Sequence, residues 1–171
     1  AHGLAADLLK AYPVPLAPAK APDFVRGATL FAQNCASCHG AAGDGRGPNA
    51  VKLATPPIAF TDVTRARQRS PFALYQVIDQ GIDGTAMQSF SSLPSDDRWA
   101  LAFYAGHFAF SDAAAKEGER LWKADPSLRQ RIPDLTALAG LTPETLAKSM
   151  GPEQANAIIA YLRRHPEAVV Q

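Results

Sequence analysis

Cysteine is almost absent from this 171-residue chain: there are two, with two methionines and four histidines beside them. No second Cys/His pair follows the first, so a four-ligand structural zinc is excluded, and no βαβ context surrounds them to suit a thioredoxin-type pair. Charge of one sign is missing as well. Lys+Arg 17 against Asp+Glu 16 leave a net charge of +1, which argues against nucleic acid or an anionic membrane surface as a partner. The longest mostly apolar run, Trp99 to Phe110, is too short to span a bilayer. There is no initiator Met and no charged-then-apolar leader, so a signal peptide is expected to have been removed or to lie outside the chain. The length suits one well-packed domain, or one domain with a sizeable appendage.

What is present is concentrated. Cys35-Ala36-Ser37-Cys38-His39 places two thiols one helical turn apart with an imidazole directly after them. That is the arrangement that covalent haem c attachment needs, each thiol adding to a vinyl group while the histidine reaches the iron. With both cysteines consumed as thioethers, their number says nothing about disulfides. Bacterial haem c is attached outside the cytoplasmic membrane, so a periplasmic or other extracytoplasmic location is expected.

The rest of the chain arranges itself around that motif. Residues 3–11 suit a short helix, and the prolines of residues 12–22 impose an extended strap. Asp23 suits the cap of a helix running to about Asn34, with Gly27 permitting a close crossing and Phe31 on the apolar face. After His39 the Gly-rich stretch to Pro48 is expected to wrap one edge of whatever the cysteines hold. A proximal histidine needs its Nδ1–H bonded, and a carbonyl near Pro48 is the expected acceptor. Ser70-Pro71 reads as a helix start and Gly81 as its end. Between them and the motif, Arg65, Arg67 and Arg69 suit a solvated loop, an acidic partner or a haem propionate. Met87 sits in a polar loop, and a thioether on the far face of the haem excludes water and favours ferrous iron. Ser95 is read as the cap of a helix through about His107, with Trp99, Phe103 and their neighbours crossing the Gly27/Phe31 face.

Together these elements resemble a class I c-type cytochrome over residues 22–108. The resemblance implies an all-α fold, one covalent haem c between His39 and Met87, and electron transfer, so the iron's ligands would be His39 and Met87. Gln88 departs from the pattern, since many such cytochromes have proline after the methionine. A narrower resemblance rests on Tyr12-Pro13-Val14-Pro15-Leu16, Phe31-Ala32-Gln33-Asn34, Phe60-Thr61-Asp62, the run Asp97 to Tyr104 and the run Ala160 to Glu167. These are similar to the extracytoplasmic segment of bacterial proteins that fuse a cytochrome c to a high-affinity iron permease. It implies a redox role linked to iron uptake, with a membrane permease as partner, in the same full-length chain or beside it. The chain shows no ExxE pair and no cluster of hard oxygen ligands, so iron capture is expected to lie elsewhere.

The expected organisation is a leader and linker over 1–22, a monohaem domain over 23–110 and a helical extension over 111–171. In the extension, Asp112 to Lys123, Pro143 to Met150 and Pro152 to Arg164 read as helices. Gly118-Glu119-Arg120-Leu121-Trp122 echoes Gly27-Ala28-Thr29-Leu30-Phe31, which leaves open a cytochrome-like helix pair without haem, Ala124-Asp125-Pro126 standing where the motif would be. The competing functions are a generic respiratory carrier, and a peroxidase or sensor with an open sixth position and His107 as distal base. Covalent attachment has a direct check. Acid acetone is expected to leave the haem on the matured protein, and Cys35→Ala combined with Cys38→Ala is expected to abolish that; release from the wild type would refute the motif reading.

Overall fold

The computed structural model describes residues 16–170, which form helices joined by loops, with no strand among them. The helix expected over 3–11, residues 12–15 of the proline strap and His2 lie outside the described residues. Helix α1 (Phe24–Asn34) starts where Asp23 accepts a hydrogen bond from the Arg26 amide at 2.9 Å, satisfying a donor that a helix start leaves free. It delivers the one-turn helix α2 (Ala36–His39), which is the motif itself. A second one-turn helix, α3 (Val63–Ala66), is capped by Asp62 inside the arginine-bearing stretch that the sequence suggested was loop.

Helix α4 (Pro71–Gln80) begins as its residue types require: Ser70 Oγ accepts from the Ala73 amide at 3.2 Å, and Pro71 has no N–H to leave unpaired. Helix α5 (Ser95–Ala105) ends two residues short of the expected His107, and Ser95 is its first residue rather than its cap. The Ser95 hydroxyl lies 3.2 Å from Tyr75 Oη and so links α5 to α4 instead. Asp97, in the first turn of α5, is held by the Arg26 guanidinium through bonds of 3.0 and 2.7 Å, tying α5 to α1.

The decisive contact between α1 and α5 is at Gly27. A Cβ there would fall 2.4 Å from the Ala100 carbonyl oxygen and 2.9 Å from Tyr104 Cβ, so only glycine allows the two backbones to approach this closely. Of the expected face it is the neighbours Ala100 and Tyr104 that meet Gly27. Trp99 turns to α4 and stacks on Tyr75 with ring centroids 4.2 Å apart.

The tail contains the three expected helices, α6 (Asp112–Ala124), α9 (Pro143–Met150) and α10 (Pro152–Arg164). Two short ones, α7 (Ser127–Arg131) and α8 (Leu135–Gly140), appear where the sequence pattern gave none. They are too short for a periodic pattern to register, but each places a buried leucine, Leu128 and Leu138, in the core. Helix α6 packs on α10 as α1 packs on α5. A Cβ on Gly118 would fall 1.9 Å from the Ala157 carbonyl oxygen and 2.9 Å from Tyr161 Cβ. Glycine against alanine and, one turn later, tyrosine is thus used twice, with Phe31 and Trp122 buried at matching positions. The two pairs share one continuous hydrophobic core.

Gly118→Ala separates two opposing effects. Helix propensity favours alanine by about 1 kcal/mol, whereas overpacking costs about 1–3 kcal/mol or more when backbone must move. The neighbour is a backbone carbonyl, so the clash is expected to win and lower the urea midpoint. Gly140→Ala, with nothing within 4 Å of the added methyl, is the control and is expected to be neutral or stabilising.

Candidate haem site

Because α2 follows α1 almost without a break, the Gly27 crossing also fixes where the motif sits. Cys35, Cys38, His39 and Met87 all line one cavity of about 750 Å³, a size typical of small-molecule sites. The other walls come from the strap Thr55–Phe60, from Ala73, Leu74, Val77 and Ile78 of α4, from Ala105 and Gly106 at the end of α5, and from Arg163 of α10. Residues distant in sequence therefore converge as the motif requires.

His39 is held on two sides. Its ring stacks on Phe60 with centroids 4.7 Å apart, and its Nδ1 lies 3.0 Å from the Ile58 carbonyl oxygen. A carbonyl can only accept, so Nδ1 carries the hydrogen and Nε2 keeps its lone pair. The expected acceptor near Pro48 is therefore replaced by Ile58. The physical reason lies in the Gly-rich loop, which folds back over α2: the amides of Gly45, Gly47 and Asn49 donate to the carbonyls of His39, Cys38 and Ser37 at 2.7, 3.1 and 2.8 Å. These are carbonyls that a short helix cannot satisfy internally. Pro48 is carried in that turn and exposed, and residues 40–52 line no part of the cavity, so the loop braces the motif rather than wrapping the site.

Electrostatics separate this site from a redox dithiol. Burial pushes the Cys35 thiol up to about 12, with the neighbouring Cys38 adding to the effect. A catalytic thiolate requires the opposite shift. Burial likewise lowers His39, against a smaller raising effect of the Ile58 bond, which keeps the imidazole neutral and its lone pair available.

The loop carrying Met87 is fixed without a following proline. The Ile82 amide donates to the Met87 carbonyl at 2.8 Å, the Met87 amide donates to Thr85 Oγ1 at 3.1 Å, and Ser89 Oγ donates to the Asp79 carbonyl at 2.6 Å. Gln88 is exposed, and backbone bonds on either side hold the methionine in place. The other candidates for a distal group lie elsewhere. His107 lines no part of the cavity; its ring packs among Phe24, Tyr104 and Phe108, its Nδ1 is bonded to the Tyr104 carbonyl, and burial lowers its pKa. Met150 is also outside the cavity, and His165 is exposed beside Glu167.

Of the arginine triplet, Arg65 and Arg69 line the cavity and Arg67 does not; its backbone carbonyl accepts from the Glu144 amide at 3.1 Å. Two contributors escaped the sequence reading. Ile58 acts through its backbone, which has no signature in residue type. Arg163 had a signal: it stands one turn after Ile159 on the apolar face of α10, where a charge is unusual.

Residues 22–104 match the family model described as cytochrome C oxidase, cbb3-type, subunit III. No curated protein matches the chain at a significant level. Among solved structures, a chain of the Kuenenia stuttgartiensis reducing HAO-like protein complex shares 12% identity, covering 85% of this chain and 97% of that one with a TM-score of 0.45. The matched segment holds the motif, the Ile58–Phe60 support and Met87, and the match supports a class I c-type cytochrome domain over residues 22–104, with covalent haem c and electron transfer as the chemistry it implies.

Proposed function

We propose that the protein is a single-electron carrier of the extracytoplasmic space, built on one haem c tethered by Cys35 and Cys38 and ligated by His39 and Met87. The observation behind this reading is the convergence of those four side chains on one cavity. When bound, the haem would supply a one-electron iron couple, which a thioether opposite an imidazole sets higher than two imidazoles do. The chain's own residues do the remaining work. Ile58 fixes the tautomer and direction of His39, Phe60 covers the imidazole face, and the Ile82–Ser89 bonds keep Met87 from swinging away. Among the described residues no helix is long and apolar enough to cross a membrane.

An oxidised-state spectrum tests the ligand assignment. The weak near-infrared band of sulfur-to-iron charge transfer is expected, and Met87→Ala is expected to remove it and admit exogenous ligands. An unchanged spectrum in Met87→Ala would refute Met87 as the ligand and shift the assignment to His107 or the tail.

The electron's source is proposed to be ferrous iron on its way through a membrane permease, on the strength of the narrower resemblance. The description of the matched family favours a rival, a respiratory carrier serving an oxidase or dehydrogenase. Both use the same site. Stopped-flow mixing of oxidised protein with ferrous iron discriminates in part: fast reduction at the haem bands is expected. A midpoint potential too low to accept that electron, with iron uptake unchanged when Cys35 and Cys38 are replaced in the full-length protein, would sink the iron-linked role.

A further inference from the structure

Among the described residues, Arg163 is the buried charge in the cavity wall that the electron-transfer reading leaves without a task. It stands in the last turn of α10, 1% exposed, and lines the same cavity as His39 and Met87. Its Nη1 donates to the Gly106 carbonyl at 2.5 Å and its Nη2 to the Arg69 carbonyl, while its guanidinium lies 5.2 Å from the centre of the Phe110 ring. Its Nε is buried with no partner.

The contrast with other arginines is instructive. Arg98 also has a buried, unpartnered Nε, but its guanidinium is paired with Asp79; Arg164 is paired with Asp112 at 3.1 Å. Among the described residues no carboxylate is paired with Arg163, and burial alone sets its acidity, pushing it down to about 10, so it remains a cation at neutral pH. Two neutral carbonyls do not offset the cost of a desolvated positive charge. An anion in the cavity that Arg163 lines would offset that cost. The other charged or titratable residues of that wall are Cys35, Cys38, His39, Asp62, Arg65 and Arg69; Asp62 is occupied in capping α3.

Resting on the haem reading above, we propose that Arg163 is a propionate-binding residue, taking one haem carboxylate through the N–H groups that the Gly106 and Arg69 carbonyls leave unused. A planar guanidinium suits a carboxylate through two parallel bonds. The consequence is that the helical tail completes the cofactor site of the cytochrome half. The residue lies outside the segment that matches the cytochrome family, 22–104, so that segment alone lacks this guanidinium.

The test uses the haem-loaded full chain and compares Arg163→Gln with Arg163→Lys. Loss of a positive charge near the iron favours the oxidised state, so Arg163→Gln is expected to lower the midpoint potential and shift the propionate carboxylate bands in redox-difference infrared spectra. Arg163→Lys is expected to retain most of both, and the near-infrared ligand band is expected to stay in place in each. An unchanged potential and unchanged carboxylate bands in Arg163→Gln, whatever its melting temperature, would reduce Arg163 to a tie between two carbonyls and overturn the proposal. Should Arg163→Gln not accumulate, a structure of the haem-loaded wild type decides: a propionate oxygen within hydrogen-bond distance of the guanidinium supports the proposal, and both propionates directed away from it overturn it. A matured wild type without covalent haem overturns the underlying haem reading, a failure separate from the preceding ones.

Discussion

The approach of α1 to α5 at Gly27 is the constraint on which the rest of the molecule depends. With no side chain between them, the Ala100 carbonyl and the Gly27 backbone set the distance between the two helices, and the Asp97–Arg26 pair ties them a turn away. Everything chemically active hangs from the ends of these helices. The C-terminal end of α1 becomes the CxxCH turn, and the C-terminal end of α5 supplies Ala105 and Gly106 to the facing wall. A wider crossing would move the motif and the wall together, so a glycine far from the site governs its geometry.

Once the motif is placed, the competition for carbonyls decides its details. A one-turn helix leaves its carbonyls unsatisfied, and the loop after it spends three amides on them. Pro48 is thereby carried to the exposed outer surface of the turn, and the strap at Ile58 supplies the acceptor for His39 instead. The strap also brings Phe60 onto the ring, so a single extended segment fixes both the tautomer and the tilt of the imidazole. The strap is itself tied to the glycine loop, the Phe60 amide donating to the Gly43 carbonyl at 2.6 Å, so loop and strap hold His39 as one unit.

Features carried by side-chain type were legible in the sequence, and features carried by backbone were not. The motif, the Asp23 and Ser70 caps, Gly81 as a stop and the three longer tail helices follow from residue identity and spacing. The acceptor of the histidine proton is a carbonyl, which every residue has, so no pattern singles out Ile58. Ser95 illustrates a different failure. Its type fits a cap, but Tyr75 offered its hydroxyl a partner on α4, and the helix began one residue earlier, after Pro94. Helices α7 and α8 bury Leu128 and Leu138, and α8 also carries a local cap, Asp134 accepting from the Ala137 amide at 2.8 Å, but both are too short for a periodic pattern to mark them.

The repeated crossing explains why a tail without the motif stays attached. The tail buries Leu128, Ile132, Leu138 and Leu146, whereas the half that carries the motif surrounds a cavity. One half is therefore a packed body and the other a receptacle, and they meet at equivalent places. Gly106 lies six residues after Ala100, and Arg163 lies six residues after Ala157, counting from the residue each crossing glycine touches. The Arg163–Gly106 bond thus joins matching ends of the two pairs, with no side chain on Gly106 to block it; a Cβ there would fall 2.9 Å from Nη1. A buried guanidinium is a poor way to glue two apolar bodies, since apolar side chains of similar volume would do it at lower cost. Its presence at that junction, lining the cavity, is accounted for by the proposed role of presenting positive charge to the site.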